Sequence, residues 1–106
     1  MNPLRLVDIK IEVRSTNESY PGIYRVYVDN DLITERSWTF GTDYAINENL
    51  LVTLSLGRHR FRLITVNCNS TNFSLHSFHI NHKLIHPTCK SLEFDFAVDA
   101  SIPAVV

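Results

Sequence analysis

The stretch Leu50-Leu51-Val52-Thr53-Leu54-Ser55-Leu56-Gly57-Arg58-His59-Arg60-Phe61-Arg62-Leu63 alternates apolar and polar side chains on both sides of a glycine. Taken as one β-hairpin with Leu56-Gly57 as its two-residue loop, it pairs Ser55 with Arg58, Leu54 with His59, Thr53 with Arg60, Val52 with Phe61, Leu51 with Arg62 and Leu50 with Leu63. Leu50, Val52, Leu54, Phe61 and Leu63 then share one face, and Thr53, Ser55, Arg58, Arg60 and Arg62 share the other. That division is expected of an antiparallel sheet buried on one side.

The same period of two runs through most of the chain. Val7, Ile9, Ile11 and Val13, separated by Asp8, Lys10 and Glu12, predict a strand over 5–14. Tyr24, Val26 and Val28 alternate with Arg25 and Tyr27, and Asp29-Asn30-Asp31 reads as a turn into a further strand over 32–40. Residues 44–49 are ambiguous between helix and strand. Asn81-His82 predicts a third hairpin loop, with Ile80 facing Lys83, His79 facing Leu84, Phe78 facing Ile85 and Ser77 facing His86. Leu92, Phe94, Phe96 and Val98 predict a last strand. The polar segments 15–22 and 67–73 leave length for crossings between sheets.

Strands separated by turns every ~8–12 residues, without an amphipathic helix of useful length, predict an all-β fold. The expected form is a small antiparallel β-sandwich, Ig-like or jelly-roll-like, with a small barrel as the alternative and strand 5–14 beside a non-adjacent partner. Its core is expected to hold Val7, Ile9, Ile11, Val26, Val28, Val52, Leu54, Phe61, Leu63, Phe94 and Phe96. A single domain over 1–106 is expected, with a tail from 99 that is loose or packs its apolar end on a neighbouring subunit.

Apolar residues make up 44% of the chain and charged ones 20%, which excludes disordered and fibrous classes, and a net charge of −1 gives no whole-molecule attraction to nucleic acid or anionic membrane. Neither is expected as a partner. No apolar run approaches the ~18 residues of a spanning helix, and Met1 to Asp8 lacks the apolar region of a signal peptide. A soluble chain, cytoplasmic or in a virion, is therefore expected, in a reducing compartment that disfavours a disulfide between Cys68 and Cys89.

Three groups of residues invite a functional reading. Arg58, Arg60 and Arg62 make a positive stripe that suits an anionic partner, or else a solvated face paired with acids such as Glu35 or Glu48. His76, His79, His82 and His86 are metal-ligand types, but the expected hairpin brings at most two together and no Cys-x-x-Cys or His-Glu-x-x-His accompanies them. No metal or other cofactor is expected. Trp38, with Tyr24, Tyr27 and Tyr44, supplies aromatic surface of the kind that stacks on sugar rings, unless these side chains belong to the core. Gly22, Gly41 and Gly57 form no phosphate loop, there is no Gly-x-Ser-x-Gly elbow, and no enzymatic activity is expected.

The run Tyr24-Arg25-Val26-Tyr27-Val28-Asp29-Asn30-Asp31-Leu32-Ile33-Thr34-Glu35-Arg36, followed by Leu54-Ser55-Leu56-Gly57-Arg58-His59, resembles the hairpin grammar of small β-sandwich structural proteins in tailed phages of marine bacteria. The resemblance spans residues 24–66 and transfers no functional residue. It implies a virion component, such as a head-decoration, neck or tail-fibre module, that acts by self-association. The expected function is thus a non-enzymatic structural or interaction protein whose partners are copies of itself or other structural proteins. The alternative is a carbohydrate-binding module using exposed aromatic residues.

Overall fold

The computed structural model describes residues 4–15, 22–38, 44–66 and 72–104. They form eight strands: β1 (Arg5–Ser15), β2 (Gly22–Val28), β3 (Asp31–Trp38), β4 (Ala45–Leu54), β5 (Gly57–Val66), β6 (Phe73–Ile80), β7 (Lys83–Thr88) and β8 (Glu93–Val98). Two four-stranded antiparallel sheets pack face to face, ordered β4-β1-β6-β7 and β3-β2-β5-β8, and among the described residues no strand pairing closes them into a barrel. The molecule is a β-sandwich. β1 lies between the non-consecutive β4 and β6, as the long connections allow.

The hairpin expected over 50–63 does not form. β4 pairs with β1, Leu50 opposite Ile9 and Val52 opposite Val7, whereas β5 pairs with β2 and β8 in the other sheet. Ser55-Leu56 is a crossing between sheets. The reason is the turn chemistry: a two-residue hairpin loop matching strand twist needs positive φ at its first central position, which leucine resists. Only Gly57 takes that region, at φ 120°. The real hairpins carry residues that tolerate it, with Asp29 at φ 56° between β2 and β3, and Asn81 and His82 at φ 47° and 70° between β6 and β7.

Face assignments survive the change of partner, because alternation belongs to each strand and not to the pair. Phe61 and Leu63 on β5 and Leu50 on β4 are buried, while Arg58, Arg60 and Leu51 point outward. Of the expected core, Val7, Ile9, Ile11, Val26, Val28, Phe61, Leu63 and Phe96 are buried, and Val52, Leu54 and Phe94 are partly buried against them. Tyr24, Trp38, Leu75 and Phe78 complete the interior with edge-to-face rings, Trp38 and Tyr24 both meeting Phe73 at 6.0 and 5.7 Å. The stretch 44–49, ambiguous in sequence, is strand.

Two further expectations are corrected. In the third hairpin Ile80 faces Lys83 and His79 faces Leu84, but the register then shifts and Phe78 meets His86, leaving Ile85 as the additional residue. His86 consequently turns inward onto Phe78 at 6.1 Å and Phe94 at 5.5 Å, away from His79. The tail, over its described part, is docked on its own subunit. Ile102 is buried, Ala104 bridges Arg5, Leu6 N–H donates to Pro103 O at 3.1 Å, and Arg5 donates to Ile102 O at 3.0 Å. Burying Ile102 in the chain's own core removes apolar surface from water without a partner.

Candidate functional site

The arginine stripe sits on the outer face of β5, where the acids of β8 answer it. Arg60 donates to Asp95 at 2.9 Å and to Glu93 at 2.8 Å, and this guanidinium holds the Asp95 carboxyl below its ordinary range. Arg62 lies over the Tyr27 ring, 5.2 Å from its centroid. Arg58 is exposed opposite Ala97. The acids suggested by sequence are engaged elsewhere, Glu35 with Arg25 at 2.6 Å and Glu48 with Arg36 at 2.7 Å, because β3 and β4 lie away from this face of β5. With Arg60 bonded to two carboxylates, the stripe offers an anion less than its sequence suggests.

The aromatic platform is dispersed. Trp38 and Tyr24 are 1% and 0% exposed, so neither presents a ring face to a sugar. They face inward because they share the buried side of the β2–β3 ladder, Trp38 opposite Gly22 and Tyr24 opposite Arg36. Tyr27 is covered by Arg62, and Tyr44, 61% exposed, precedes β4.

Sequence reasoning named Glu48 as a partner for the arginine stripe and missed its burial. It points inward from β4 with its side chain fully buried, accepting from Tyr24 Oη at 2.6 Å and from Arg36 Nε and Nη2 at 2.7 and 3.1 Å. A buried carboxylate persists only when its lone pairs are so matched. Burial, and then the hydrogen bond to Glu48, push the Tyr24 phenol well above its ordinary value, and Glu48 raises Arg36 too. The available signal was the inward parity of Glu48 with Ile46 and Leu50.

Of the groups that could do acid–base or nucleophilic work, the buried His59 is occupied. His59, 9% exposed, places Nδ1 2.7 Å from Asp29 Oδ2 and Nε2 2.7 Å from Ser55 O, so neither nitrogen is open to a substrate. Partial burial pushes the Asp29 carboxyl up, but the His59 ring and the Arg60 N–H outweigh it and hold it below its ordinary value. Burial pushes the Cys89 thiol up, the wrong direction for a nucleophile. Cys68 lies outside the described residues, and with it the question of a disulfide. Among the described residues no group of three or more His, Cys, Asp or Glu has metal-holding geometry. His76 and His79 point outward, His86 inward, and His82 sits in the turn near Asp8 at 3.7 Å.

What stands out instead is one sheet edge. β7 carries Lys83, Pro87 and an additional residue, β3 carries Asp31, Glu35 and Arg36 with a register shift, and β8 is six residues long with Glu93 and Asp95. These are the means by which native sheets blunt their edges. Of these β4 has only a charge, the inward-pointing Glu48. The strand is ten residues, AINENLLVTL, paired along one side with β1 in unbroken register from Leu54 to Ala45. No strand among the described residues pairs with its other side. Its one charge, Glu48, is already desolvated and paired, so a further strand would not newly bury it. Leu51, 67% exposed, faces outward opposite Asp8 and diagonal to Leu6 at 45%, with Leu4 at 48% just before β1.

In comparisons with protein-family models, curated proteins and solved structures, nothing matches the chain. No helix among the described residues is long and apolar enough to cross a membrane.

Proposed function

We propose that this protein is a non-enzymatic structural module that works by self-association, two copies joining their β4 strands antiparallel into one continuous eight-stranded sheet. The observation that carries this reading is the unbroken, unprotected ten-residue edge of β4 beside the exposed Leu51. A second copy suits it because the strand presents no free charge of either sign, so an identical strand meets it without repulsion, whereas an acidic or basic peptide gains nothing. Matching of inward and outward faces requires pairs of equal parity. A two-fold centred on Leu51 meets that condition, sets Leu51 against its own copy and places Leu50 opposite Val52. The engaged nitrogens of His59 and the raised Cys89 thiol support the non-enzymatic part of the reading. A virion component is the setting that the resemblance over 24–66 implies.

Light scattering at micromolar concentration tests it. A mass of twice 12.2 kDa is expected, falling to 12.2 kDa in Leu51→Lys, which puts a charge on the edge while leaving the circular dichroism spectrum unchanged. A wild-type mass of 12.2 kDa that does not rise on tenfold concentration overturns the proposal.

A further inference from the structure

The outer face of the β4-β1-β6-β7 sheet is not flat. β6 carries one more residue than β1 between His76 and His79, and within that bulge Ser77 adopts φ 55°. Positive φ is unusual for serine in a strand, and bulges re-aim side chains and are frequent beside binding sites. At this place lies a depression of about 310 Å³, lined by Lys10, Glu12, Asn47, Asn49, Ser77 and His79 together with Ile11 and Glu48, its exposed wall mostly apolar beneath the polar tips. That volume is at the lower end of ligand pockets, which run from about 300 Å³ upward.

The register arranges the polar tips as a grid. Asn49, Lys10 and His79 lie side by side in one row, and Asn47, Glu12 and His76 in the next. On β1 and β4 the rows are ~6.6–6.8 Å apart, while on β6 the additional residue lies between them, and neighbours across the strands are ~4.8 Å apart. Lys10 and Glu12 each have a partner of their own, Lys10 Nζ lying 3.4 Å from His82 Nδ1 and Glu12 pairing with Arg14 at 2.6 Å, so neither is a free charge that selects an anion or a cation. The remaining groups bring both donors and acceptors. Asn47 and Asn49 bring amides, Ser77 a hydroxyl, and His79 an imidazole whose Nδ1 donates to Ser77 O at 2.8 Å, which in the neutral ring leaves Nε2 as an acceptor. Glu12 gives Oε1 to Arg14 and keeps Oε2. Closely spaced groups of both kinds, without net charge, match a ligand whose hydroxyls themselves donate and accept.

We infer that this depression binds a neutral polyhydroxylated ring, one saccharide unit in size, through the Asn47, Asn49, Lys10, Glu12 and His79 side chains. This site does not use the aromatic residues and does not depend on the β4 dimer. Amide chemical shifts of the full chain, titrated in turn with methyl glucoside, methyl galactoside, methyl mannoside and N-acetylglucosamine, provide the test, with inorganic phosphate as the charged comparison. Saturable shifts confined to residues 10–12, 47–49 and 77–79 are expected for at least one sugar, with millimolar affinity. Asn47→Ala/Asn49→Ala is expected to weaken binding about tenfold or more with an unchanged spectrum elsewhere, and Leu51→Lys to retain it, so that loss of assembly and loss of binding are told apart. No saturable shift with any of the four sugars, shifts outside these residues, or equal response to phosphate overturns the inference.

Discussion

β4 and β5 follow one another in sequence, have ten residues each and show the same alternation, yet they meet opposite fates. β5 is held on both sides, by β2 and β8, and buries Phe61, Leu63 and His59, whereas β4 is held on one side by β1 and leaves Leu51 in solvent. The difference teaches that alternation decides which residues of a strand face inward, while its place in the sheet decides how much that burial is worth and whether an edge is left to offer.

The strongest way to break the comparison is to truncate the inward Phe61 of β5 and the outward Leu51 of β4. Phe61→Ala is expected to cost about 3–5 kcal/mol in urea unfolding, because the ring packs on Phe78 at 5.7 Å and stacks on Phe94 at 5.2 Å in a fully buried position. Leu51→Ala, measured at a concentration where the protein is monomeric, is expected to stay within about 0.5 kcal/mol. Similar losses at both sites would show that Leu51 is covered and not in solvent.

Glu48 sharpens the comparison from the other side, being the one inward charge on β4. Glu48→Gln is expected to cost about 1–3 kcal/mol, because the buried Tyr24 hydroxyl loses a charged acceptor, while Arg36, half exposed, can turn to water. Unchanged or increased stability would mean that the Tyr24–Glu48–Arg36 cluster repays no more than its desolvation.

The smallest effect concerns Asp29, which ties the β2–β3 turn to His59 and Arg60 of β5. Its folded carboxyl sits below the unfolded value, so its contribution is present above about pH 4 and fades as pH falls from there through the folded value. Asp29→Asn, which keeps a residue tolerant of φ 56°, is expected to flatten the acid limb of the stability curve by no more than about 1 kcal/mol, since the side chain is 43% exposed. An unaltered acid limb would show that the contact between turn and β5 carries no linkage.

The sequence by itself determined where the strands run except for the first half of β4, which face of each is buried, and the two hairpins whose turns hold Asp29 and Asn81-His82. Side-chain alternation and tolerance of positive φ are local properties, legible without knowing any neighbour. Only the tertiary structure decided who pairs with whom. Backbone ladder bonds are the same for every residue except proline, so they do not choose a partner; Leu56 disfavours the tight turn to β5, but that β4 meets β1 instead is visible only in the assembled sheets. The same dependence hid the candidate sites. Glu48 is intelligible as an inward carboxylate only beside Tyr24 and Arg36. The groove exists only because a bulge in β6 lies against β1, with Asn47 and Asn49 of β4 completing the far side. Local pattern sets the faces of a strand, and long-range packing sets its neighbours, because the first is written in adjacent side chains and the second in the shape left by all the others.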